Sequence, residues 1–146
     1  MWIKAKILNL FWHLRNLIGT SLTNLQIWDC PNFVSFTSGG LCAPNLTKIC
    51  ISICNKLKSL PKGSRTLLPS LVKMQLIKCP ELESFPEGGL PSNLVSLQII
   101  NCDELFSRHM EWGLQGLHSL REFTILSERR HCCLPLLLIS TFLLQI

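Results

Sequence analysis

Residues 71–86 of this chain read LVKMQLIKCPELESFP. Their apolar positions recur at intervals of three, two, three, three and three residues: Leu71, Met74, Leu76, Cys79, Leu82 and Phe85. This spacing is neither the 3.6-residue period of an amphipathic helix nor the strict alternation of a long strand. It predicts a short strand over Met74 to Leu76, followed by turns that return side chains to the same side. So short a unit cannot bury its apolar edge alone and needs stacked copies of itself.

Further copies of this unit occur on both sides of it. All six positions recur in two preceding units: Leu22, Leu25, Ile27, Cys30, Phe33 and Phe36, then Leu46, Ile49, Ile51, Cys54, Leu57 and Leu60. A fourth unit keeps five positions and has Arg108 at the sixth: Leu94, Leu97, Ile99, Cys102 and Leu105. A partial fifth unit has Leu120, Phe123 and Ile125, with Glu128 at the cysteine position. The first leucine recurs after 24, 25, 23 and 26 residues, so residues 21–127 are predicted to be repeats.

Two further segments flank the repeats. In residues 1–20, apolar residues lie at helical spacing: Ile3, Ile7, Leu10, Leu14 and Leu17. This favours a helix-like cap, or a degenerate repeat, that covers the open end of the array. A membrane-surface or partner-binding helix is the alternative. Residues 128–146 form a divergent apolar tail, and its 13-residue run from Leu134 is shorter than the about 20 residues that span a bilayer. No membrane span is predicted.

Composition restricts the class of protein. With 47% hydrophobic and 16% charged residues, the chain is predicted to fold rather than to be disordered. Its formal charge of +5 is scattered, and no basic stripe is interleaved with aromatic residues, so nucleic acid is not an expected partner. Eight cysteines could form a disulfide scaffold, but four of them recur at one repeat position, which favours buried thiols. We therefore expect a reduced protein in the cytoplasm.

The spacing L-x-x-L-x-[IL]-x-x-C is that of a leucine-rich repeat, in which asparagine or cysteine occupies the last position. The predicted fold is an α/β leucine-rich-repeat solenoid. Its short parallel strands would lie on the concave face, one from each unit. The C-x-x-L-x-x-[LF] half of each unit would return along an irregular or 3₁₀ convex side, because a three-residue period suits 3₁₀ or extended turns better than an α-helix.

Longer phrases carry a family resemblance: residues 79–91, CPELESFPEGGLP; residues 92–99, SNLVSLQI; and residues 111–115, EWGLQ. They closely resemble the C-terminal leucine-rich repeats of plant disease-resistance proteins of the coiled-coil, nucleotide-binding class, over roughly residues 20 to 126. The resemblance implies an intracellular immune receptor. Its repeats would bind a pathogen effector or a guarded host protein, or would hold the receptor's own nucleotide-binding domain inactive. No G-x-x-x-x-G-K-[ST] phosphate loop is present, so the family's nucleotide switch is not carried over and no cofactor is expected.

Binding residues are expected between and just after the buried strand positions, because strand side chains alternate between the two faces. Three stripes of such residues supply the candidates for protein binding: Gln26, Trp28, Ser52, Gln75, Ile77, Lys78, Gln98 and Ile100. The stripe with Trp28, Ile77 and Ile100 is unusually apolar for a surface, as partner sites are. The alternative is that a neighbouring domain or terminal segment packs there constitutively.

Residues with catalytic or metal-binding chemistry are not grouped. None of the four histidines is near a positioned nucleophile in the repeat pattern. Cys50 and Cys54 have metal-like spacing, but strand geometry sends them to opposite sides. No enzymatic activity and no metal are predicted. The chain is predicted to be a protein-recognition module in plant defence, present as a repeat fragment. The alternative is a truncated structural or regulatory repeat protein that acts as a decoy or has no independent function.

Overall fold

The computed structural model describes residues 2–5, 21–36, 40–85, 89–108, 112 and 114–128. Within these ranges, six parallel strands form one sheet in chain order: β1 (Trp2–Ala5), β2 (Asn24–Trp28), β3 (Lys48–Ser52), β4 (Lys73–Ile77), β5 (Ser96–Ile100) and β6 (Glu122–Leu126). Two short helices, α1 (Ser64–Leu67) and α2 (Asp103–Ser107), and a 3₁₀ turn at Leu114–Gly116 lie in the connections. A parallel sheet with few helices agrees with the predicted α/β class.

Neighbouring strands pair so that equivalent positions of the repeat are adjacent. The second apolar position, for example, forms one continuous row across the sheet: Leu25, Ile49, Met74, Leu97 and Phe123. The register is therefore the one that the sequence spacing predicts. Because strand residues alternate between two faces, this register places all the inward side chains in one layer.

The apolar repeat positions form one continuous core between the sheet and the returning segments. Every first, second and third position in the units from Leu22 to Ile99 is buried, and Leu46, Ile49, Leu57 and Leu76 are fully enclosed. Phe85, Phe123 and Ile125 are only partly buried and pack against the edge of this core. The core thus becomes less enclosed toward β6.

Each of β2 to β5 ends at the same kind of turn. The residue after each strand has a left-handed backbone, with φ between 53° and 56°: Asp29, Ile53, Lys78 and Asn101. Its N–H still donates to the last carbonyl of the next strand, as from Ile53 to Ile77 at 2.9 Å. The cysteine that follows is buried, and its thiol donates to the carbonyl two residues earlier at 3.5–3.6 Å. This turn sends the chain into the interior at the cysteine position, as predicted.

The cysteines of the described residues are all free thiols, so no disulfide framework joins them. Cys79 lies between Cys54 and Cys102 in the stacked turns. Hydrogen bonds with the thiols of Cys102 and Cys54, together with burial, raise the pKa of Cys79 above its ordinary value. The Cys79 side chain therefore stays protonated and serves as a small apolar group of the core.

The returning segments of three units are irregular and adopt the extended one of the two turn conformations that the three-residue period predicts. In three units they are extended and stack in parallel through isolated bridges that link Ser35 to Ser59 and Ser59 to Ser84. The N–H of Lys58 donates to the carbonyl of Val34 at 2.8 Å. Extended segments at this spacing satisfy one another's backbone groups, which isolated turns would leave to solvent. These units therefore follow the extended alternative and not the 3₁₀ one.

The fourth returning segment is the helix α2. Asp103 and Glu104 occupy its first turn, where acidic side chains interact favourably with the helix dipole. Glu104 also lies 3.6 Å from Arg108 in an exposed ion pair. The sixth apolar position, lost to Arg108, is compensated by Trp112, which is buried and donates from Nε1 to the carbonyl of Leu105 at 3.1 Å.

The predicted N-terminal helix is wrong at Trp2–Ala5, which form β1. These residues pair in parallel with β2, with Ile3 opposite Leu25 and Ala5 opposite Ile27. A strand here satisfies backbone groups of β2 that an edge would leave unpaired, and a helix cannot do so. The pairing is what the degenerate-repeat alternative predicts for these four residues. Residues 6–20, with the rest of the apolar stripe, and residues 129–146 of the apolar tail lie outside the described residues.

Candidate protein-binding face

The side of β2–β6 that faces away from the core is called the strand face here, and it carries three columns of side chains. The first column lies at the beginning of the strands: Asn24, Lys48, Lys73, Ser96 and Glu122. The second lies in their middle: Gln26, Cys50, Gln75, Gln98 and Thr124. The third lies at their ends: Trp28, Ser52, Ile77, Ile100 and Leu126. Neighbours within a column are about 4.8 Å apart.

The third column is largely apolar and accessible. Trp28 is 46% exposed and Leu126 is 57% exposed, whereas Ile77 and Ile100 are half-buried. Side chains of this size are normally buried, so their alignment on one face is informative. The sequence prediction that Trp28, Ile77 and Ile100 share one stripe agrees with the strand register.

Ser52 was predicted to be exposed in this column, and that is wrong: the residue is buried, with 8% exposure. Its small side chain lies in register between Trp28 and Ile77, which are far larger and shield it. The third column is therefore an apolar ridge in which Ser52 is covered by its neighbours. Ser52 is not a projecting contact residue.

The second column consists of polar side chains that brace one another. Gln75 donates from Nε2 to Oε1 of Gln98 at 2.7 Å. Gln26 lies two strands from Gln75, in register with Cys50 between them. Burial raises the pKa of the Cys50 thiol, so this half-buried cysteine is a poor nucleophile at neutral pH. The column supplies amide groups for hydrogen bonding and no reactive centre.

The first column contains residues that the sequence stripes omitted. Lys48 and Lys73 are direct partners on adjacent strands. They were missed because the candidate residues were taken from the middle and the end of each strand, although the same alternation predicts that positions 48 and 73 share a face with 50 and 75. Lys78, a predicted contact residue, is exposed in the left-handed turn after β4. Neither Lys73 nor Lys78 forms an ion pair with another described residue.

The strand face thus brings together the eight predicted binding residues, seven on β2–β5 and Lys78 immediately after β4, of which Ser52 is buried. Across the described ranges, no three histidine, cysteine, aspartate or glutamate side chains group as a metal site would require. None of the helices in these ranges is both long enough and apolar enough to cross a bilayer. The chemistry that the face can perform is apolar contact, hydrogen bonding and attraction of negative charge.

Comparison with known proteins gives two relatives from Arabidopsis thaliana. The chain is 53% identical over 90 residues, 62% of its length, to a protein named as a candidate disease resistance protein. It is 29% identical over 120 residues, 82% of its length, to a protein named for variation in a compound-triggered root growth response. The chain spans only 6% and 10% of the lengths of these relatives. No family model and no solved structure matches. The similarity to the first relative supports a relationship to plant disease-resistance proteins.

Proposed function

We propose that residues 21–127 are a leucine-rich-repeat solenoid whose strand face binds protein in plant defence, in the cytoplasm and without enzymatic activity. Two observations support the solenoid. One strand occurs every 23 to 26 residues, and the six-position pattern is buried in register from unit to unit. The relative named for disease resistance supports the defence role. The sheet would then line the concave side, as in leucine-rich-repeat horseshoes.

The observation that carries a binding role is the third column of the strand face. Trp28 at one end and Leu126 at the other are 46% and 57% exposed, with half-buried Ile77 and Ile100 between them. Exposed apolar groups that are contiguous mark interaction sites, and tryptophan is enriched among the residues that dominate binding energy. The partner classes are a pathogen effector, a guarded host protein and the nucleotide-binding domain of a longer receptor.

The competing function is that of a structural or regulatory repeat protein, such as a decoy, or of a chain without independent function. The third column then packs against a constitutive neighbour or against nothing. The two functions differ in one measurable property. A recognition module loses defined partners when the ridge is removed, whereas a chain without recognition function does not.

The test is quantitative affinity enrichment from leaves of a plant challenged with a pathogen, followed by mass spectrometry. The wild-type chain is compared with the double variant Trp28→Ala/Ile77→Ser. A matched control is Val34→Ser, because Val34 is 45% exposed but lies on the returning side. We expect specific partners that the double variant loses and the control retains. Equal recovery of every partner by all three proteins would contradict a binding role for the strand face.

A further inference from the structure

The middle of the strand face is positively charged. Lys73 begins β4, and Lys78 follows its end, so two lysines bracket the strand. Lys48 lies beside Lys73 in register. Neither Lys73 nor Lys78 is paired with a carboxylate of another described residue. The outward positions of β3 and β4 contain no acidic residue, so this part of the face attracts negative charge.

The same region contains the apolar side chains on either side of Ser52. Trp28 and Ile77 stand on either side of this buried serine, two strand spacings or about 10 Å apart. Because Ser52 between them is covered, an incoming apolar side chain would pack on the outer surfaces of Trp28 and Ile77. The positive charges of Lys73 and Lys78 therefore lie next to the apolar side chains of the third column.

We propose that the strand face binds a protein segment in which two carboxylates flank a bulky apolar side chain. The carboxylates pair with Lys73 and Lys78, and the apolar side chain packs against Trp28 and Ile77. The two lysine Cα atoms are roughly 15 Å apart along the strand, which corresponds to four or five residues of an extended segment. This inference rests on the proposed function and deepens it by specifying the chemistry of the partner.

A polypeptide fits these observations better than a nucleic acid does. Trp28 is the aromatic side chain that the strand face presents from β2 to β6, and the rest of the ridge is Ile77, Ile100 and Leu126. Successive bases require successive stacking platforms, which aliphatic side chains do not provide. Aliphatic side chains next to separated lysines instead complement an acidic segment with apolar anchors.

The test is selection of a phage-displayed library of random short peptides on the full chain, with counter-selection on Trp28→Ala/Ile77→Ser. We expect the selected peptides to carry Asp or Glu on both sides of a Leu, Ile, Phe or Trp residue. The best peptide is then synthesised with its acidic residues intact and also with each replaced by Lys. Binding of both peptides is measured by fluorescence anisotropy.

The charged contacts are tested with Lys73→Glu/Lys78→Glu. This variant loses two surface ion pairs with the peptide and replaces each of them with repulsion between like charges. We therefore expect its affinity for the acidic peptide to be about tenfold weaker than that of the wild-type chain. The lysine peptide should bind this variant more tightly than it binds the wild-type chain, which an unfolded variant cannot reproduce.

Lys56→Glu/Lys58→Glu is the matched control, because both lysines are exposed outside the strand face. It should change the affinity less than twofold. If the charge-reversal variant Lys73→Glu/Lys78→Glu does not fold, the wild-type chain still provides a test. Its affinity for the acidic peptide must decrease when the salt concentration is raised from about 50 to about 500 mM.

The outcomes separate this inference from the proposed function. In one outcome, the selected peptides require Trp28 and Ile77 for binding and yet show no preference for acidic residues; in another, they bind equally well to Lys73→Glu/Lys78→Glu. Either result overturns the inference and leaves protein recognition intact. If no peptide depends on Trp28 and Ile77, both are overturned. The inference is also overturned if a single-stranded oligonucleotide competes with the peptide and does not bind Lys73→Glu/Lys78→Glu. That result would assign the lysines to nucleic-acid binding.

Discussion

Replacement of Cys79 distinguishes a thiol that acts as an apolar core group from one that acts as an essential hydrogen-bond donor. Cys79 has no exposed surface. Its Sγ lies 3.6 Å from the carbonyl oxygen of Ile77 and 4.0 Å from that of Ile51, at the long limit for a thiol. A serine hydroxyl requires an O···O distance of about 2.5–3.0 Å, and the shorter C–O bond places its oxygen no closer to these carbonyls. Cys79→Ser therefore buries a hydroxyl that no carbonyl is placed to accept, and the neighbouring thiols of Cys54 and Cys102 are only weak acceptors.

The expected magnitudes follow from these distances. Cys79→Ala loses one buried apolar group, about 1 kcal/mol, together with a small cavity. Cys79→Ser adds the cost of an unsatisfied buried hydroxyl, about 1–3 kcal/mol. We expect the serine variant to lose roughly 2–4 kcal/mol of unfolding free energy and to be at least as destabilised as the alanine variant. Cys42 is exposed, so Cys42→Ser should change stability by less than about 0.5 kcal/mol.

The assay is urea unfolding of the full chain under reducing conditions, followed by circular dichroism, with the four proteins measured in parallel. Wild-type stability in Cys79→Ser, or a serine variant clearly more stable than the alanine variant, would refute the apolar role of this position. That result would mean that the turn depends on a hydrogen-bond donor and that the backbone adjusts to reach it.

Three further predictions concern stability and are measured by the same unfolding assay. Gly40→Ala should lower the free energy of unfolding by more than about 2 kcal/mol, because its φ of 75° disfavours a side chain and a Cβ would overlap the carbonyl of Lys62. Gly89→Ala is the control: its φ is 79°, but a Cβ would meet open space, so the loss should be only about 1–2 kcal/mol. Trp112→Ala should cost about 3–5 kcal/mol, and equal stability would exclude it from the core. Because hydrogen bonds and burial raise the pKa of Cys79 in the folded state, its contribution to stability is complete below about pH 8.5 and is lost as the pH rises further. Cys79→Ala should lack that part of the alkaline loss, and identical pH profiles for the two proteins would contradict the raised pKa.

The sheet was predictable because its determinants are periodic. Leu25, Ile49, Met74 and Leu97 recur at nearly constant intervals, and the register of β2 to β5 follows from that interval. The turn after each strand was also predictable, since the buried cysteine is repeated. Its left-handed residue was not, because Asp29, Ile53, Lys78 and Asn101 share no side-chain property and Ile is a poor residue for φ near 56°.

The other elements depend on interactions that periodicity does not describe. The helical spacing of apolar residues over residues 1–20 did not predict β1. Pairing with the edge of β2 outweighs the local preference of these residues. The extended returning segments depend on bridges between units, such as Ser59 with Ser35 and Ser84. Trp112 lies outside every repeat position, yet its ring centroid lies 5.5 Å from that of Phe85 in an edge-to-face contact.

The sequence predicted which residues of the candidate site share a face but not how exposed each of them is. Alternation placed Trp28, Ile77 and Ile100 on one face. The burial of Ser52 could not be read from alternation, since it results from the size of its neighbours. The positive charge of Lys73 was omitted, although the same alternation assigns it to the strand face.

The most direct test of recognition through the strand face is site-specific photo-crosslinking in plant cells. The photoreactive residue p-benzoylphenylalanine replaces Trp28 in one protein and Val34, on the returning side, in the other. Both positions are accessible, at 46% and 45% exposure, so they sample the two sides equally. We predict that position 28 forms a discrete crosslinked complex with another protein and that position 34 does not. Crosslinks from position 34 alone, or from neither position, would contradict recognition through the strand face.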